Sequence, residues 1–78
     1  MKVFIHSLEK TLYEGDASVT VLPAESGEIS VLEGHVPLST ALSKGVIRVK
    51  GSDASQHDFQ IVSGFAQVNG NHLIILTN

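Results

Sequence analysis

The sequence of 78 residues contains no cysteine. Without thiols there is no disulfide framework and no thiolate metal site, so stability must come from packing and backbone hydrogen bonds. Basic residues are few: Lys2, Lys10, Lys44, Arg48 and Lys50 stand against eight acidic residues, for a net charge of -3 at pH 7. They are too dispersed to follow a phosphate backbone, which argues against nucleic acid as a partner. The longest uninterrupted apolar run is Leu73-Ile74-Ile75-Leu76, far below the roughly 20 residues of a membrane-spanning helix. Met1-Lys2-Val3-Phe4-Ile5 gives way at once to His6, Ser7 and Glu9, so no apolar stretch of signal-peptide length exists and an intracellular product is expected. Internal repeats, low-complexity tracts and linkers are also missing, and the length holds a single domain, residues 1–78.

What is present favours folding. Hydrophobic residues make up 42% and charged ones 17%, too apolar for a disordered tail. Scaling of surface with mass predicts about 4,600 Å² of accessible area once folded. The apolar pattern runs at period two: Val19 and Val21, Ile29 and Val31, Ile47 and Val49, Phe59 and Ile61 each alternate with polar neighbours, as half-buried strands do. Seven glycines punctuate the pattern at a spacing that suits short antiparallel strands in a sandwich or barrel. Asn69-Gly70 reads as a type I′ turn pairing Phe65 to Val68 with Asn71 to Leu76. Gly51-Ser52-Asp53-Ala54-Ser55 reads as an exposed, mobile loop. Val36 to Lys44 stays open between helix and strand, because Leu38, Ala41 and Leu42 suit one and Leu38, Thr40 and Leu42 the other.

The usual chemical constellations do not assemble. His6, His35, His57 and His72 lack the i, i+2 or i, i+4 spacing of metal ligands and read as exposed or capping residues, with no metal or cofactor expected. Ser63 lacks the flanking glycines of a nucleophile elbow. Glu25, Glu28 and Glu33 read as a solvated turn rather than a glycosidase pair. Gly27 and Gly34 lack the lysine and helix of a phosphate loop.

One segment is denser. Ser26 to Leu42 packs two glycines, a proline, a histidine and two carboxylates into seventeen positions. Gly27 and Gly34 bracket a strand centred on Ile29 and Val31, and Pro37 suits an edge or bulge. Glu28, His35 and Thr40 are then expected at one end of the sandwich, although on residue types alone a tight structural corner is the favoured reading.

The run Gly27-Glu28-Ile29, Gly34-His35-Val36-Pro37-Leu38, Thr40-Ala41-Leu42 and Gly45-Val46-Ile47-Arg48 resembles the GE-x-GI-x-PGHAPLLTAL…G-x-IRV pattern of the epsilon subunit of F-type ATP synthases. Ser63-Gly64-Phe65-Ala66-Gln67-Val68 and Asn71 to Leu76 are similar to that family's closing strands, and Val3, Glu9, Leu12, Tyr13, Gly15 and Val19 to Val21 to its opening ones. Only the Gly-His-x-Pro-Leu segment is specific by itself. Ser30-Val31, Glu33 and Thr77-Asn78 depart from the family pattern.

The resemblance implies an all-β, flattened β-sandwich of about ten short, mostly antiparallel strands, with a strand at Val36 to Lys44. It implies a non-catalytic subunit without cofactor. Such a subunit sits in the central stalk, docks gamma onto the c-ring and helps couple proton translocation to ATP synthesis. The C-terminal helical hairpin that the family associates with ATP binding and inhibition is not expected in these residues. Membrane association is expected only through the complex, at the cytoplasmic face of the energy-transducing membrane. Matched residue by residue, Glu28, His35 and Thr40 face the c-ring, where a histidine adds pH sensitivity. Leu22, Val46 and Val62, read as outward-facing apolar residues opposite Val21, Ile47 and Ile61, are the candidates for the gamma contact. The competing reading is a freestanding small β-sandwich that binds a ligand or peptide or assembles with itself.

Overall fold

A computed structural model describes residues 1–78. It has eight strands and no helix: β1 (Lys2–His6), β2 (Thr11–Ala24), β3 (Gly27–Leu32), β4 (Leu38–Leu42), β5 (Gly45–Gly51), β6 (Gln56–Ile61), β7 (Gly64–Asn69) and β8 (His72–Thr77). The ladder runs β1-β8-β7-β4-β2-β5-β6, with β3 on β2 and a further β1–β2 pairing. Only β1 and β8 pair in parallel. The count is eight, against the about ten that the resemblance implies, and β2 runs unbroken for 14 residues where two shorter strands could have stood. Its first half pairs with β1 and its second half with β3 and β5. One layer is therefore β2-β1-β8-β7-β4 and the other β3-β2-β5-β6. Val36 to Lys44 resolves as strand β4.

A β-bulge makes the passage between layers possible. Ala17 pairs with Gly51, but Val19 pairs with Lys50, so one residue of β2 is left over. An extra residue reverses which side chains face inward. Ala17 points to the core before the bulge; Thr20, Leu22 and Ala24 do so after it. The core itself is one cluster of 14 apolar residues, with Val3, Ile5, Leu22, Ile47, Val49, Leu73 and Ile75 fully buried. Tyr13 from β2 closes the layers, its ring 5.1 Å from His57 and 6.1 Å from Phe59 of β6. Accessible area is 4603 Å², in line with mass scaling. Extents of 27 × 24 × 17 Å show the flattening.

Two turns refine the sequence reading. The β7–β8 hairpin forms, but Asn69 pairs with His72, so the two turn residues are Gly70 and Asn71. Gly70 has φ 62 while Asn69 and Asn71 stay at negative φ, which suits a type II′ turn with glycine first rather than type I′. Between β5 and β6 the exposed residues are tied down. Asp53 Oδ1 accepts from the Ser55 amide at 3.1 Å and the Ser55 hydroxyl at 2.6 Å, while Gly51 N–H donates to Ser55 C=O at 2.8 Å and Ala54 N–H to Gly51 C=O at 3.0 Å. Asp53 is held below its ordinary value of 3.8 by the Ser55 hydroxyl first and the Ser55 amide second.

Candidate docking faces

Alternation along a strand gives each layer an inner and an outer face. On the first layer the outer face holds Lys2, Phe4 and His6 of β1, His72, Ile74 and Leu76 of β8, Phe65 and Gln67 of β7, and Ser39 and Ala41 of β4. Cross-strand pairing sets the apolar ones side by side: Phe4 opposite Ile74, Leu76 opposite Phe65, Phe65 opposite Ala41. Phe65 is 45%, Ile74 39% and Leu76 53% exposed. A patch of this kind, continuous over four strands, is uncommon on a sandwich that needs only one apolar face per layer. Sequence reading missed it. Its signal was the run Leu73 to Leu76, in which both parities of one strand are apolar, so that a strand buried on one side still offers oil on the other.

The second layer's outer face is less apolar. Val19, Val21, Pro23 and Val46 are half-buried, and Leu32 stands at its margin. Val19 pairs with Lys50 and Val21 with Arg48. These four side chains line one shallow hollow, so long basic stems border the valines there.

The residues expected at a gamma contact separate. Leu22 has no exposed surface and belongs to the core; it is corrected out of the interface set. The cause is the β2 bulge, which turns Val21 outward and Leu22 inward. Val46 is half-buried and Val62 is exposed, and both line an open hollow of about 370 Å³ with Lys44, Gln60 and Asn78. Val62 N–H donates to Asn78 Oδ1 at 3.2 Å, which holds it beside the end of β8 and so at the margin of the apolar face.

The residues expected at the c-ring are not brought together. Glu28 is exposed on β3 opposite Pro23. Four residue steps of extended strand, about 13 Å at about 3.3 Å each, separate it from Leu32. His35 closes the turn that follows: its N–H donates to Leu32 C=O at 3.1 Å, with Gly34 at φ 84 supplying the left-handed third position of a type II turn. His35 Nδ1 donates to Val36 C=O at 2.8 Å, leaving Nε2 free. The same turn carries Glu33, 3.6 Å from the amino group of Met1. Thr40 is a correction in orientation. It pairs with the fully buried Ala66 and so stands on the core-facing side of β4, where its hydroxyl donates to Ala41 C=O at 3.2 Å. β3 pairs with β2 alone, the edge position that Pro37 and the glycines suggested.

Comparison with known proteins bears on what these faces serve. The family model of the ATP synthase delta/epsilon chain beta-sandwich domain matches residues 1–78. The chain is 41% identical over 69 residues to the ATP synthase epsilon chain of Chlorobaculum tepidum, covering 88% of this chain and 78% of that one. To the epsilon chain of Chlorobium limicola it is 37% identical, covering 97% and 86%. To that of Nostoc punctiforme it is also 37% identical, covering 100% of this chain and 58% of the relative. In fold it is similar to a chain of the Euglena gracilis mitochondrial ATP synthase, solved with OSCP, F1 and c-ring, at TM-score 0.89 and 22% identity over 96% of this chain and 48% of that one. A second likeness is to a chain in the central stalk and c-ring structure of the Tetrahymena thermophila enzyme, at TM-score 0.80 and 16% identity over 99% and 62%. With the family model matching residues 1–78 and the Chlorobaculum tepidum and Chlorobium limicola epsilon chains matched over 78% and 86% of their own length, the chain belongs to the ATP synthase epsilon family through its beta-sandwich domain.

Proposed function

We propose that this chain is a central-stalk subunit that docks gamma onto the c-ring and helps couple proton translocation to ATP synthesis. Epsilon chains are non-catalytic subunits of the synthase, so its work is contact and transmission. The observation that carries the reading is the apolar outer face of β1, β8, β7 and β4. A freestanding sandwich gains nothing by exposing Phe65, Ile74 and Leu76 together, whereas a subunit that transmits torque needs an apolar, desolvated contact with aromatic anchors. Gamma is the occupant of that face, with Val62 at its margin and Val46 across the adjoining hollow. The c-ring's polar loops meet Glu28 and the free Nε2 of His35 through rim-type hydrogen bonds and charge pairs. Thr40 supports β4 from within. Such contacts hold the chain at the membrane through the complex; no helix of the chain is long and apolar enough to cross one.

Titration of the chain against the gamma subunit of the same enzyme tests this. Phe65→Ser with Leu76→Ser is expected to weaken capture by about 100-fold or more, as loss of central anchors does, while the melting transition of the free chain moves little. Glu28→Gln with His35→Ala is expected to weaken retention by gamma and c-ring assemblies while leaving binding to gamma alone unchanged. A stable homo-oligomer that ignores gamma would overturn the reading in favour of a self-assembling sandwich.

A further inference from the structure

Phe4 has unusual company on the apolar face. The rings of His6 and His72 lie on either flank, with centroids at 6.2 and 6.0 Å and interplanar angles of 13° and 18°. Lys2 Nζ sits 5.9 Å from the Phe4 centroid. His6 Nδ1 is 3.1 Å from Thr11 Oγ1, and Lys2 pairs with His72 across the parallel strands. The charged groups facing this cluster are few. On β2, Glu14 stands opposite Phe4 and Asp16 opposite Lys2. On β7, Asn69 opposite His72 and Gln67 opposite Ile74 are uncharged, and β8 adds no other charge.

We infer that His6 and His72 make this face a pH-sensitive docking surface, closed to its apolar partner when the two imidazoles are protonated. The inference rests on the reading of this face as the gamma contact. Neutral imidazoles stacked on Phe4 extend the aromatic surface that a partner covers. Protonated, they put two further positive charges beside Lys2, and covering them strips water from both. Glu14 and Asp16 offset that charge only along the β2 edge, while Ile74, Leu76 and Phe65 on the other side offer no counter-charge. Imidazole is the side chain that changes charge between about pH 5 and 8, so docking weakens on acidification. The arrangement is separate from His35, which lies on the β3–β4 turn.

The test is the affinity of the chain for the gamma subunit of the same enzyme at about pH 7.5 and about pH 5.5, for the wild type and for the His6→Gln, His72→Gln double variant. Titration of gamma's own groups is common to both and cancels in the comparison. The wild type is expected to bind about tenfold more weakly at the lower pH, because imidazoles ordinarily gain their charge between these two pH values and covering two charged rings strips water from both. The variant is expected to change by about threefold at most. Parallel pH profiles in the two proteins would overturn the inference while leaving the docking face intact. Absence of gamma binding by either protein at either pH would instead overturn the reading of the face itself, and this inference with it.

Discussion

Strands β1, β7 and β8 carry apolar side chains on both sides, and the two sides have opposite fates. Inward, Val3, Ile5, Ala66, Val68, Leu73 and Ile75 are at most 2% exposed and meet the second layer. Outward, Phe65, Ile74 and Leu76 stay exposed, and Phe4 is half-buried among His6, His72 and Lys2. Neighbouring residues of one strand, such as Ile74 and Ile75, thus share chemistry but not function: the first is available to a partner, the second to the fold. Apolarity alone does not assign a residue to the core; the register that sets its facing does.

The largest expected effect falls on the inner side. Ile75→Ala is expected to cost about 2–5 kcal/mol, read by chemical denaturation, a large share of what a domain this small commands. Next comes its outer neighbour. Ile74→Ser should leave unfolding within about 1 kcal/mol of the wild type, as exposed strand positions do, yet weaken gamma binding by about tenfold. Equal damage to stability by both substitutions would collapse the distinction between the sides. Smaller again is the turn that keeps the register: Gly70→Ala, at φ 62, is expected to destabilise by about 1 kcal/mol through the left-handed backbone, with binding to gamma intact once folded. The smallest effect belongs to neither side. Because the Ser55 hydroxyl and amide lower the Asp53 carboxyl, its contribution is complete above its unfolded value and is lost as pH falls through the lower folded one. Thermal melts taken below about pH 4 should therefore decline slightly more steeply for the wild type than for Asp53→Asn.

Much of this was legible beforehand. Alternation at Ile29 and Val31, Ile47 and Val49, and Phe59 and Ile61 identified three strands and their inward residues, because in each the bonded partner runs without a bulge across those positions. The β7–β8 hairpin was legible too, though Asn69-Gly70 misplaced its turn by one residue; sequence cannot weigh a positive φ at asparagine against a glycine-first turn once the strands pair. Strand β4 needed the family resemblance, since five residues satisfy two periods. Leu22 misled for a definite reason: the bulge after Ala17 exists only in the pairing with β5, and no local pattern in Val19 to Leu22 announces it. Thr40 was placed by its match to the family motif along the chain, but its facing is decided by its pairing with Ala66. The apolar outer face was hidden in plain view, because period-two reading assigns one face to the core and is silent about the other.

Whether gamma covers the first layer is tested most directly by methyl NMR of the chain with and without gamma. The two outer faces carry distinct probes: Ile74 and Leu76 on the first layer, Val19, Val21 and Val46 on the second. Ile74 and Leu76 are expected to shift or broaden on binding while Val19 and Val21 stay unchanged. Perturbation of Val19, Val21 and Val46 with Ile74 and Leu76 undisturbed would contradict the assignment of gamma to the first layer.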